Sequence, residues 1–172
     1  MPKIFLIADS HMGHTKMLEY CNRPTNFEDK ILKGLRTIDS KSILIHLGDF
    51  CIGNDKKWHK EFFNHSNARR HILVRGNHDM SKSDNWYYNH GWDFVCKTFT
   101  GKYFGKKILF SHKPLMRLTH DNYDINVHGH FHNTDHRSHE LKLRLIRNKH
   151  QKLLAIENTD YKPVPLKAFL GL

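Results

Sequence analysis

The sequence has no apolar run long enough to cross a membrane. Its early apolar stretch, Ile4 to Ala8, is stopped by Asp9, whereas a spanning helix needs roughly 20 such residues. The stretch is also too short for the core of a secretion signal, and no small-residue cleavage site follows it. Cysteine is scarce. Cys21, Cys51 and Cys96 form no CxxC pair, and an odd number builds no disulfide framework. The expectation is therefore reduced thiols, buried as small hydrophobic groups, in a cytoplasmic protein of a bacterium or of a virus in its host. No linker, repeat or low-complexity tract divides the 172 residues, so a single domain over 1–172 is expected. Acids are few as well: 17 Asp and Glu against 28 Lys and Arg leave a net charge of +11. That balance suits a phosphorylated substrate or a nucleic acid, with no membrane partner.

What the chain does have is histidine, 16 in all, and their placement follows the strands. Residues 3–8, 42–47 and 71–74 are short apolar runs that read as buried strands. Residues 27–38 carry Phe27, Ile31, Leu35 and Ile38 at helical spacing, acids early and bases late. Residues 55–65 read as a second helix, capped by Asn54 or Asp55. Strand, helix, strand, helix, strand is the rhythm of an α/β sheet. Beyond it, 93–99, 103–110, 125–129 and 153–157 are strand candidates with Gly101 and Gly105 as turns. In the basic segment 136–152, Leu141, Leu143 and Leu145 alternate with Lys142 and Arg144 as in a half-exposed strand, although a helix also fits.

Each polar cluster follows an apolar run: Asp9 and His11, then Asp49, then Asn77 and His78, then His112, then His130 and His132. In open α/β sheets ligands collect at the carboxyl ends of strands, so these clusters can share one site. On an extended segment Asp9 and His11 would point the same way, as would His130 and His132. Carboxylate, amide carbonyl and imidazole suit a hard or borderline divalent ion without thiolate. Seven such side chains exceed one tetrahedral shell and suit two ions, Mn, Fe, Zn or Ni, sharing a carboxylate.

Taken together, Asp9-Ser-His11, Gly48-Asp49, Gly76-Asn77-His78-Asp79, Ser111-His112 and Gly129-His130-Phe-His132 resemble the calcineurin-like metallophosphoesterase superfamily. Asn22-Arg23-Pro24 and Tyr161-Lys162-Pro163 resemble its small single-domain bacterial and phage branch. The resemblance implies a four-layer α/β/β/α sandwich of two mixed β-sheets flanked by helices. It implies one metal on Asp9, His11 and His132, a second on Asn77, His112 and His130, and Asp49 bridging. His78 becomes the candidate acid for the leaving oxygen, with Asp79 orienting it.

The activity that follows is dinuclear-metal-dependent hydrolysis of phosphodiesters or phosphomonoesters, nucleotide or nucleic-acid related. A hydroxide formed from acidified water would attack phosphorus. Arg23 is a candidate for a bidentate phosphate contact, and His14 for the substrate or the surroundings of the metals. Two alternatives carry different predictions: a nuclease acting on DNA or RNA, and a non-catalytic scaffold or nucleic-acid-binding module on the same fold. The oligomeric state stays open, a homodimer included. His46 and His128 read as hydrogen-bonded core residues; His59, His65, His71, His90, His120, His136, His139 and His150 read as surface. Trp58, Trp86 and Trp92 with Tyr87 and Tyr88 read as packing.

Overall fold

The computed structural model describes residues 2–115, 123–133 and 150–172. The first half alternates as the sequence predicts: β1 (Ile4–Ile7), a short helix α1 (Met17–Tyr20), α2 (Phe27–Leu35), β2 (Ile43–His46), α3 (Asp55–His65) and β3 (Arg70–Val74). Next come a 3₁₀ turn at His78–Ser81, α4 (Asp84–Tyr88), β4 (Phe94–Cys96), β5 (Thr98–Tyr103), β6 (Lys106–Ser111) and β7 (Ile125–His128). The described chain ends with β8 (Gln151–Leu153), a 3₁₀ turn at Ile156–Thr159, β9 (Val164–Pro165) and α5 (Leu166–Leu170).

Two mixed sheets result. One has the order β4-β3-β2-β1-β9, with β9 antiparallel on an otherwise parallel set; the other runs β5-β6-β7-β8, with β5 antiparallel. Strand alternation divides the apolar residues between two cores. Leu6, Ala8, Ile45, Leu47 and Val74 meet Ile108, Phe110 and Val127 between the sheets. Ile7, Leu44 and Leu73 face the other way, onto Phe27, Ile31 and Leu35 of α2 and Phe62 of α3. This is the expected α/β sandwich of two mixed sheets with helices packed outside.

Several boundaries differ from the sequence reading. The helix expected to reach residue 38 stops at Leu35, where Thr37 Oγ1 turns back to the Gly34 carbonyl at 2.8 Å. The candidate strand 93–99 is two strands, one in each sheet, separated at Lys97. Gly101 is inside β5 rather than at a turn, and the hairpin turns at Phe104 and Gly105, both left-handed. The strand expected over 153–157 ends at Leu153. Leu141, Leu143 and Leu145 lie outside the described residues, as do His120, His136 and His139.

His59 and His71 are buried, contrary to the surface expectation. His59 donates from Nδ1 to the Asp55 carbonyl (2.8 Å) and sits among rings, 4.3 Å from Phe50 and 4.9 Å from Trp86 by centroid. Helical spacing places it on the same face as Phe62, which an isolated histidine in a sequence does not reveal. Burial pulls the pKa of each down to about 4. An unfolded histidine takes its proton near pH 6.5, so these sites withdraw stability as pH falls from 6.5 toward 4. The melting temperature of chelator-treated protein should fall through that window, and fall less in His59→Phe. Equal slopes would show that His59 does not contribute.

Candidate functional site

Parallel strands β1, β2 and β3 deliver their carboxyl ends to the same edge as β6 and β7. Beyond the strands the first two segments stay paired: Asp9 N–H donates to the Gly48 carbonyl (2.9 Å), His11 N–H to that of Asp49 (3.0 Å) and Met12 N–H to that of Phe50 (2.9 Å). The residues concerned are not extended. Asp9, His11, Asp49, His130 and His132 all have positive φ, between 46° and 75°. Side-chain alternation along a strand is therefore not what aims these groups. Left-handed turns aim them, each costing an L-residue about 1–2 kcal/mol, and the surrounding ladder holds them there.

Part of that hold comes from His46. Its Nδ1 accepts from Gly48 N–H (3.1 Å), so Nε2 donates to Ser10 Oγ (2.8 Å), whose hydroxyl donates to the Phe50 carbonyl (2.7 Å). Burial drives its pKa down to about 3, and it stays neutral as the expected core histidine. Steric room comes from glycine: a Cβ at Gly76 would overlap the Asp49 carboxylate, and one at Gly129 the Asp9 carboxylate.

The seven candidate ligands come together. Asp9, His11 and His132 form one group, and Asp49, His112 and His130 another, with ligand atoms within 4.8 Å of each other in each. Around His112 Nε2 stand His130 Nδ1 at 3.0 Å, Asn77 Oδ1 at 3.1 Å and Asp49 Oδ2 at 3.3 Å. Tetrahedral donors about 2.1 Å from an ion are about 3.4 Å apart, so this spacing is that of a coordination shell. His112 Nδ1 faces the Leu47 carbonyl at 2.8 Å. With the proton there, Nε2 presents a lone pair to an amide oxygen and a carboxylate, a repulsive set unless a proton or cation lies among them. Asp49 Oδ2 is also 3.7 Å from His11 Nε2, so it lies between the groups. Asp9 Oδ1 and His11 Nε2 are buried with no hydrogen-bond partner, the state of atoms kept for an ion. Oxygen and imidazole nitrogen together fit a divalent ion of the hard to borderline kind.

Protons serve this set when metal does not. Burial opposes a charge on His112, but the hydrogen bond and charge of Asp49, together with Asp9, outweigh it and push its pKa up to about 9. Burial likewise opposes a charge on His132, yet hydrogen bonds to Cys21 and Glu157 and the charge of Asp9 raise it to about 10. Burial holds the Asp9 carboxyl up at about 6 against those histidines. His112 lowers Asp49 despite its burial.

Two further candidates, Arg23 and Asp79, take different positions from those expected, while His14 lies in the surroundings of the ligands, one of its two expected places. Arg23 is buried and held by four hydrogen bonds: Nε (3.0 Å) and Nη2 (2.7 Å) donate to Glu157 Oε1, Nη1 to the Ser10 carbonyl (2.9 Å) and Nη2 to the Asp9 carbonyl (2.7 Å). It braces the turn beneath the site, which corrects the phosphate contact read from its charge. Asp79 does not turn to His78. It accepts from the backbone N–H of Asp49 and Gly76 (both 2.8 Å) and of Phe50 (3.0 Å), tying two loops together. His14 meets His11, Nδ1 to Nδ1 at 3.5 Å, with the His78 ring 6.2 Å away. His78 stands exposed at the rim, its N–H donating to Asp49 Oδ1 (2.9 Å) and its Nε2 3.9 Å from Asp49 Oδ2. Sequence reading missed Glu157, which holds His132 Nδ1 at 3.0 Å. A buried arginine needs a carboxylate, but its position 134 residues away is visible only in the fold.

A family model described as the calcineurin-like phosphoesterase superfamily domain matches residues 3–148. An uncharacterized protein of Methanocaldococcus jannaschii is 28% identical over 179 residues, covering 100% of this chain and 92% of its own. The crystal structure of a protein of unknown function from Aquifex aeolicus superposes with a TM-score of 0.70 at 24% identity, over 98% of this chain and 97% of that one; it shares the fold.

Two outcomes follow from this geometry. Ions must displace the protons on His112 and His132, so divalent-metal affinity should rise with pH between 6 and 9, with about two protons released per pair of ions. Calorimetry in buffers of different protonation enthalpy reads that number, and none released would contradict the ligand set. Gly129→Ala should abolish binding by displacing the Asp9 carboxylate, while far-ultraviolet circular dichroism stays unchanged.

Proposed function

Because the chain belongs to the calcineurin-like phosphoesterase superfamily, we propose that it is a dinuclear-metal-dependent phosphohydrolase acting on phosphodiesters or phosphomonoesters of nucleotide or nucleic-acid type. The observation that carries this reading is the convergence of carboxylate, amide and imidazole donors at 3.0–3.3 Å around His112 Nε2, beside the unpartnered Asp9 Oδ1 and His11 Nε2. Asp9, His11 and His132 would hold one ion, Asn77, His112 and His130 the other, with Asp49 shared. When bound, such ions supply Lewis acidity toward phosphoryl oxygens and acidify water.

The chain's own groups do the rest. His78 stands at the mouth, its backbone fixed by Asp49, where its imidazole can give a proton to the departing oxygen. Asp79 keeps the two loops that carry Asp49 and His78 in register. His14 supports His11 from behind. The side chains with an exposed edge, Asn77 and His78, mark the side from which a phosphate enters. The net charge of +11 favours an anionic substrate. No helix among the described residues is long and apolar enough to cross a membrane, and Cys21, Cys51 and Cys96 form no disulfide with one another, in keeping with our placing the protein in the cytoplasm.

With added Mn²⁺ the protein should hydrolyse bis(p-nitrophenyl) phosphate. His78→Ala should lower kcat/KM by roughly 10²–10⁴-fold with metal content unchanged, and Asp49→Asn should lose both activity and metal. No turnover with any divalent ion, on mono- or diesters, would instead favour the scaffold reading. A nuclease would lose activity steeply with salt, because polymer binding releases counterions; a small ester would not.

A further inference from the structure

The two donor groups differ in charge and in what stands behind them. The first has the Asp9 carboxylate, where the second has the neutral Asn77 amide; Asp49 lies between both. Behind His112, in the second group, the hydrogen bond from Nδ1 goes to a backbone carbonyl, that of Leu47 at 2.8 Å, with Asp9 Oδ1 farther off at 3.9 Å. Behind His132, in the first, Nδ1 meets the Glu157 carboxylate at 3.0 Å. Glu157 is itself fixed: its side chain is 3% exposed and its Oε1 takes two bonds from Arg23, whose remaining donors hold the Asp9 and Ser10 carbonyls. One buried pair thus orients His132 from the C-terminal side and the Asp9 turn from the N-terminal side. Cys21 Sγ lies within 4.8 Å of the same His132 and Glu157 atoms.

We propose that Glu157, clamped by Arg23, is a positioning residue that makes the two metal positions unequal, so that the Asp9–His11–His132 position binds its divalent ion more tightly and fills first. This rests on the two-metal reading above. A carboxylate behind a ligating imidazole fixes the ring, fixes its tautomer and strengthens it as a donor, whereas a carbonyl does so less; losing such a partner typically lowers metal affinity 10–100-fold. The extra carboxylate of Asp9 acts in the same direction. Arg23 limits the gain by sharing Glu157's charge, but it also keeps that carboxylate in place.

Titrating metal-stripped protein with Co²⁺, followed by calorimetry and by the visible d–d spectrum, tests this without relying on turnover. Wild type should show one tight and one weaker event. E157Q should weaken the tight event 10–100-fold, shift its d–d band and leave the weaker event unchanged. Asn77→Ala should remove the weaker event alone. Arg23→Lys, which keeps a cation but loses the fork that clamps Glu157 and holds the Asp9 and Ser10 carbonyls, should also weaken the tight event and leave the weaker one unchanged. Two equal events in wild type, an E157Q titration matching wild type, or loss of the tight event in Asn77→Ala would each overturn the proposal. So would a thiolate-to-cobalt charge-transfer band, which would put the first ion on Cys21. If E157Q does not fold, the Asn77→Ala titration decides alone. Failure of wild type to bind a second ion would refute the two-metal reading itself, a result distinct from two ions bound equally.

Discussion

Two carboxylates, Asp9 and Asp49, are buried within reach of four imidazoles, and little else in the molecule makes sense without that crowding. Acids in such a place must be neutralised, because an unpaired buried charge is costly. The chain meets the demand with backbone N–H groups: His130 N–H donates to Asp9 Oδ2 at 2.9 Å, and His78 N–H to Asp49 Oδ1 at 2.9 Å. The opposing oxygens, Asp9 Oδ1 and Asp49 Oδ2, are turned toward histidines. Raised affinities for protons at His112 and His132 are the answer available to the protein on its own; divalent cations are the answer the donor geometry suits better.

The fold is arranged around that constraint. Two mixed sheets end at the same edge, so groups from residue 9 to residue 132 share a volume a few ångströms across. Left-handed backbone at Asp9, His11, Asp49, His130 and His132 is the local strain that this requires. Glycines 76 and 129 leave room for the carboxylates. His46, Asp79 and Arg23 are buried polar residues that satisfy loop backbone rather than bind substrate. They fix the turns, and the turns fix the ligands.

Much of this was legible in the sequence. Apolar runs ending in Asp9, Asp49, Asn77, His112 and His130 placed a polar site at strand ends, because buried strands must be apolar and their exits need not be. Helix α3 ran over the expected 55–65 because its Asn54 cap and its apolar face agree. Less legible were features set by distance in space. The strand candidate 93–99 hid a change of sheet at Lys97, since both halves are short and half-exposed. Asp9 and His11 were expected to share a face by strand alternation, but positive φ does that work. Arg23 read as a phosphate ligand because a sequence shows a charge and not its partner; Glu157, 134 residues on, is that partner. His59 and His71 read as surface because imidazole is ambiguous between a polar loop and an aromatic core.

The central claim is that this edge of the molecule is a two-metal site, and the most direct test is to see the ions. Crystals grown with Mn²⁺ and measured at its absorption edge should give two anomalous peaks about 3.5–4 Å apart. One should be bounded by Asp9, His11 and His132, the other by Asn77, His112 and His130, with Asp49 touching both. A single peak, or none within reach of Asp49, would contradict the account.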